Sequence, residues 1–317
     1  MRTSLSFALT ALLAAGLAGA APAAGGPTVR EDGGLRGIAT PTGFRYVAIQ
    51  GQNRTVLARI SPQQRVAAVR FFRGNFTIAG VAYDGATSGL SADGKTLVLI
   101  GPRYGFPRAR TSFLILALPG MFVREAVTLR GDFSFDAVAP DGSMLFFIQY
   151  LSRKDPTEYA VRAFDREGSR LVPEPVVDKS EPGEEMRGMP ISRVTSRDGR
   201  WAYTLYDGGG GTPFVHALDT LGVEAHCIDL AGLAGRNDLF TLRLRLRSAG
   251  NVAVVDDRRP LLVLDRATLQ VSKPETGSVS QSGGSTPWAP IGAGAGALIA
   301  AGALSLALLR RRRPAAT

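Results

Sequence analysis

The chain has 317 residues, 45% of them hydrophobic, which is enough for one sizeable core and excludes a disordered chain. A single cysteine, Cys227, excludes an intrachain disulfide. Five of the 37 basic residues, Arg2 and Arg310 to Arg313, lie at the ends, so the formal charge of +10 overstates the body, where 32 Lys and Arg face all 27 acids; with no basic run interleaved with aromatics, no nucleic-acid partner is expected.

Residues 1–26 read as a secretory signal peptide. Arg2 supplies the positive start, Leu5 to Leu17 the apolar stretch, and Ala18-Gly19-Ala20 or Ala21-Pro22-Ala23 a small-residue cleavage site. Residues 27–43, rich in Gly and Pro, form a flexible lead-in. The body, 44–272, opens with three strands, FRYVAIQ, TVLARIS and VAAVRFF, that carry no Asp-Gly turn. Then one phrase recurs three times: SADGKTLVLI (Ser91 to Ile100), APDGSMLFFI (Ala139 to Ile148) and SRDGRWAYTL (Ser196 to Leu205). Asp-Gly suits a two-residue hairpin turn, because glycine reaches positive φ without a Cβ penalty. Apolar, β-prone runs flank each pair, and two further strands follow. SFLILALPG and EAVTLRG follow the first turn, YAVRAFDREG and RLVPEPVV the second, PFVHALDTLG and EAHCIDL the third. NVAVVDD and PLLVLDRATLQV close the series. Recurrence at this spacing marks stacked supersecondary units.

These residues resemble the YVTN-type repeats of exported bacterial β-propellers, which join a turn like SPDG to an apolar strand and then to a phrase like IDTATNKVV. HALDTLGVEAHCIDL and LVLDRATLQV match that last phrase. The resemblance covers roughly residues 40 to 272. It implies an all-β, WD40-like β-propeller; the three clear strand groups and the degenerate first and last ones make five blades, mostly of four antiparallel strands. It implies little about activity, since propellers host many functions.

DKSEPGEEMRGMP, Asp178 to Pro190, breaks the blade pattern as a surface loop. Insertions of this kind often cluster on the binding face, which makes Glu184, Glu185 and Arg187 candidate ligand contacts; a solvated linker explains the segment equally. The run Gly208 to Gly211 precedes a strand rather than a helix, so it reads as a hairpin loop and not as a phosphate cradle. In TLRLRLR, Arg243, Arg245 and Arg247 share one strand face, where three guanidinium groups suit an anion or an acidic partner; a solvated face opposite a buried one explains the pattern equally.

Residues 273–287 form a polar Gly/Ser-rich linker. Residues 288–309 follow as a membrane-spanning helix, with Trp288 at one edge and Arg310 to Arg313 opening a basic cytoplasmic tail, 310–317. The tail also resembles bacterial C-terminal sorting signals, but the LPXTG box is absent, which favours a retained anchor. Gly292 and Gly296 bring helix backbones close enough for a weak homodimer. The expected topology puts the propeller outside the cytoplasmic membrane.

His216, His226 and Cys227 flank one predicted hairpin and are candidate ligands for zinc or a softer metal, although alternation sets His226 and Cys227 on opposite faces of their strand. No hydrolase elbow or metalloprotease motif is present, and no cofactor is expected. Counting back five residues from each Asp of the turns gives Ser88, Asp136 and Arg193 on the innermost strands. They face the channel as binding residues, or Asp136 and Arg193 pair between neighbouring blades. Two functions follow: a surface-anchored module that binds a protein, peptide or glycan, or a lactonase-like hydrolase with a metal in the central channel.

Overall fold

The computed structural model describes residues 36–181 and 186–274. The expected signal segment, the membrane span with Gly292 and Gly296, the basic tail, Glu184 and Glu185 all lie outside the described residues. Among the described residues, no helix is long and apolar enough to cross a membrane.

Five antiparallel sheets follow one another along the chain. The first contains β1 (Ile38–Ala39), β2 (Arg45–Gly51), β3 (Arg54–Ile60) and β4 (Val66–Arg73) in sequence order. The second contains β5 (Thr77–Gly80), β6 (Thr87–Ser88), β7 (Thr96–Ile100), β8 (Arg110–Ala117) and β9 (Phe122–Arg130), in the order β6-β5-β7-β8-β9. The third holds β10 (Phe133–Val138), β11 (Met144–Tyr150), β12 (Tyr159–Asp165) and β13 (Arg170–Val176). The fourth holds β14 (Pro190–Thr195), β15 (Trp201–Tyr206), β16 (Phe214–Asp219) and β17 (Glu224–Asp229). The fifth holds β18 (Leu242–Leu246), β19 (Val252–Asp256), β20 (Arg259–Leu264) and β21 (Val271–Ser272). The lead-in therefore ends early, because Ile38 and Ala39 already pair with Tyr46 and Arg45.

The middle strands of the second, third and fourth sheets are apolar on both faces because each of these sheets is covered on both sides. In β7, Leu97 and Leu99 pack with Tyr46 and Leu57 of the first sheet, while Val98 and Ile100 pack with Phe135 and Phe147 of the third. Phe146, Val161, Leu218 and Ala225 join the third sheet to the fourth. Tyr203, Val215, Leu244 and Val254 join the fourth to the fifth. Four-stranded meanders stacked face to face in chain order, first strands innermost, are the architecture of a β-propeller. Among the described residues, no apolar cluster joins the fifth sheet to the first.

The repeated turn is wider than a two-residue hairpin. In each repeat the amide of Gly94, Gly142 or Gly199 bonds to the carbonyl three residues back, and Ser91, Ala139 and Ser196 donate to Thr96, Met144 and Trp201 across four intervening residues. Glycine is required because φ is +69°, +76° and +74° at the three positions. Each Asp carboxylate accepts the amide two residues on, at 2.9, 2.9 and 3.1 Å. Related turns occur in the end sheets, where Gly43 and Gly250 bond back to Thr40 and Arg247, but without the aspartate. The second sheet adds an insertion: the β5–β6 hairpin reaches β14, with Tyr83 and Asp84 amides donating to the carbonyls of Pro190 and Ile191.

Candidate functional site

One polar row runs across the fourth sheet. Arg193 of β14 stands opposite Thr204 of β15, Thr204 opposite His216 of β16, and His216 opposite Cys227 of β17. Cross-strand partners point to the same face. That face meets the third sheet, since Leu218 and Ala225 pack there with Phe146 and Val161. An apolar interface thus contains a polar stripe from its inner to its outer edge.

At the inner end, Asp136 reaches across from the third sheet. It is the extra residue of a β-bulge, with Phe135 paired to Phe147 and Ala137 to Phe146, and a bulge re-aims the side chain it carries. Both side chains of the Asp136–Arg193 ion pair are 4% exposed. Arg193 Nη2 donates to Asp136 Oδ1, Nη1 to the Asp136 carbonyl at 3.1 Å, and Nε to Thr204 Oγ1 at 2.6 Å. Asp136 Oδ2 has no hydrogen-bond partner. It lies beside a cavity of about 40 Å³ lined also by Tyr150, Tyr159 and Tyr206, a volume suited to ordered water and too small for a metabolite.

At the outer end the row opens on a larger cavity, about 390 Å³, between the third and fourth sheets. Leu151, Val161, Pro175, Val176 and Ala225 supply apolar lining; Tyr159, Asp178, Met186, His216 and Cys227 supply the chemistry. The link between the two sheets, the segment expected to be a loop, provides Asp178, Met186 and Arg187. His216 is 1% exposed and its Nε2 has no hydrogen-bond partner. Burial lowers its pKa to about 4, an effect that the Asp136 carboxylate opposes without reversing, so the imidazole is neutral at physiological pH. Burial works to raise the Asp178 carboxyl, but donation from the Ser180 hydroxyl and amide and from the Cys227 amide outweighs it and holds the group below the usual range. Burial also pushes the Tyr159 and Tyr206 hydroxyls upward, so both stay protonated donors.

The sequence-derived candidates separate on this frame. Asp136 and Arg193 meet, whereas Ser88 lies on β6 opposite Ala79, half-buried and outside that pair. His216 and Cys227 share one face, but His226 turns to the other, 6.2 Å from the Trp201 ring by centroid, with Nδ1 3.7 Å from Asp178 Oδ2. The trio proposed as metal ligands therefore does not converge, and among the described residues no three His, Cys, Asp or Glu side chains form a metal-sized cluster. Arg243 donates through Nη1 to the carbonyls of Phe240 and Leu242, capping the preceding 3₁₀ turn, while Arg245 and Arg247 are exposed. Gly208 to Gly210 form a 3₁₀ turn whose Gly209 amide donates to Asp207. Tyr159, Asp178, Thr204 and Met186 were not singled out from the sequence; pairing PFVHALD against EAHCID residue by residue is the signal that exposes the row.

No known sequence family and no curated protein matches the chain. Among solved structures, it resembles the β-propeller domain of Myceliophteria thermophila Cps50 (Swd1), with 13% identity, a TM-score of 0.44, and coverage of 74% of this chain and 69% of that one. The Dos1 propeller gives 11% identity and a TM-score of 0.40, over 74% and 57%. A puromycin hydrolase gives 15% identity and a TM-score of 0.40, covering 75% of this chain but 38% of the hydrolase. These likenesses transfer no ligand or reaction. The chain is a β-propeller by its own sheet order and packing.

Proposed function

We propose that the protein is an exported binding module, anchored by residues 288–309 with its sheets outside the membrane. A partner peptide or protein inserts a side chain into the cavity between the third and fourth sheets. The export and anchoring rest on the sequence pattern at the two ends. The binding role rests on one observation, the 390 Å³ cavity with mostly apolar walls and a few convergent polar groups. That size and lining are typical of ligand sites, and the apolar walls favour a peptide side chain over a sugar. Ala225 lines the cavity on β17 with its side chain on the face that meets the third sheet, so Ala225→Trp fills it. The test compares the full-length chain and this variant on peptide and glycan arrays. Peptide binding lost in the variant at an unchanged melting temperature is the expected result. A wild-type chain that binds no peptide, or binding that survives Ala225→Trp, overturns the reading.

A further inference from the structure

The cavity wall carries three soft or borderline donors. Cys227 and His216 are direct cross-strand partners on one face of the fourth sheet. Met186 lines the same cavity from the link between the sheets. Met186 and Cys227 also pack against one apolar cluster, formed by Tyr159, Tyr206 and Phe214. The Tyr206 ring stands edge-on to the His216 ring, with centroids 6.4 Å apart. A thiol, an imidazole and a thioether thus line one cavity, and the imidazole is buried with an unpartnered nitrogen.

From this we propose a binding site for a soft monovalent metal ion, copper(I) in chemical class, held by the sulfur of Cys227, the imidazole of His216 and the sulfur of Met186. Three arguments support the ion. Thiolate and thioether donors select copper(I) over hard cations, which need oxygen ligands. Ligation requires a free nitrogen lone pair, and His216 Nε2 is buried without a hydrogen-bond partner. Charge supplies the third: copper(I) bound to one thiolate is electrically neutral, whereas zinc(II) with the same donors would leave a net positive charge against apolar walls, at a high desolvation cost. Binding forms the metal–sulfur bond and releases the thiol proton to solvent, with no change in oxidation state. Methionine has three rotatable bonds and can follow the ion to its preferred distance. Asp178 accepts the Cys227 amide at 3.1 Å and so fixes the strand that carries the thiolate. The proposal depends on the donor set rather than on the cavity volume, so it stands apart from peptide binding.

The experiment titrates the reduced, full-length chain with copper(I) against a chromogenic copper(I) chelator, and with silver(I) as a surrogate that does not undergo redox chemistry. One ion per chain is expected, with Cys227 protected from alkylation by iodoacetamide. Cys227→Ser and Met186→Leu should each weaken binding by more than the roughly 10–100-fold that losing an outer-shell partner costs. His226→Gln should bind as the wild type does, because His226 faces away. Melting temperatures verify that each variant is folded. No binding in competition with the chelator, wild-type affinity in both sulfur variants, or tighter binding of zinc(II) than of copper(I) overturns the proposal. Array binding by the same preparations is read separately, so the peptide-binding role can fail or survive independently.

Discussion

Burial couples the protonation of His216 to folding. Its pKa falls from 6.5 to about 4 in the folded chain, so between those values the unfolded chain holds the extra proton. Stability contributed by the neutral imidazole is complete above pH 6.5 and is lost as the pH falls towards 4. The full shift corresponds to about 3 kcal/mol. Asp178, Asp198 and Asp219 are held below their usual 3.8, so their contributions fade at lower pH than that of the histidine. In urea titrations at pH 7 and pH 4.5, His216→Gln should lose clearly less stability than the wild type. Equal losses would show that His216 is not held neutral. The residue scale was only partly legible. Asp136 and Arg193 stood out because a charge five residues before a turn is misplaced in an inner strand. Their hydrogen bonds were hidden because the bulge at Asp136 breaks the alternation on which such counting depends. Met186 lies in a loop with no period, so nothing in its neighbourhood tied it to the fourth sheet.

Three repeated turns separate backbone strain from packing at the level of the element. A Cβ on Gly94 would meet nothing within 4 Å, so Gly94→Ala tests the positive φ alone, at about 1–2 kcal/mol. A Cβ on Gly199 would lie 2.5 Å from the Cβ of Ala92, because the turn of the fourth sheet packs against that of the second. Gly199→Ala should therefore cost more than Gly94→Ala, and adding Ala92→Gly should recover part of the difference. Equal urea midpoints for Gly94→Ala and Gly199→Ala would show that the turns do not touch. The Asp-Gly pairs made three sheets readable in the sequence. The end sheets were harder because Thr40 to Gly43 and Arg247 to Gly250 keep the glycine but lose the aspartate whose carboxylate marks the motif.

For the whole molecule, the Asp136–Arg193 pair is an inter-sheet bond. Removing the guanidinium leaves a carboxylate 4% exposed and without its counter-charge, which typically costs about 3–5 kcal/mol. Arg193→Ala should lower the melting temperature markedly, whereas replacing both partners with apolar residues, as in Asp136→Leu with Arg193→Met, should restore most of it. An unchanged melting temperature in Arg193→Ala would mean that the two sheets do not depend on the pair. Five strand groups were countable from the sequence. The cavity between the third and fourth sheets was not, because its lining joins residues of β12, β13, β16 and β17 to Asp178 and Met186 of the link, and no one of these segments signals it alone.

The β5–β6 hairpin imposes an order of events on folding. Tyr83 and Asp84 donate to Pro190 and Ile191, two sheets further along the chain. A ribosome or an export channel delivers the second sheet well before the fourth, so this hairpin must wait, with its tip unsatisfied, until β14 arrives. Chain closure over so long a separation is slow. Until it occurs, the nascent second sheet offers an incomplete inner edge on which a chaperone could act.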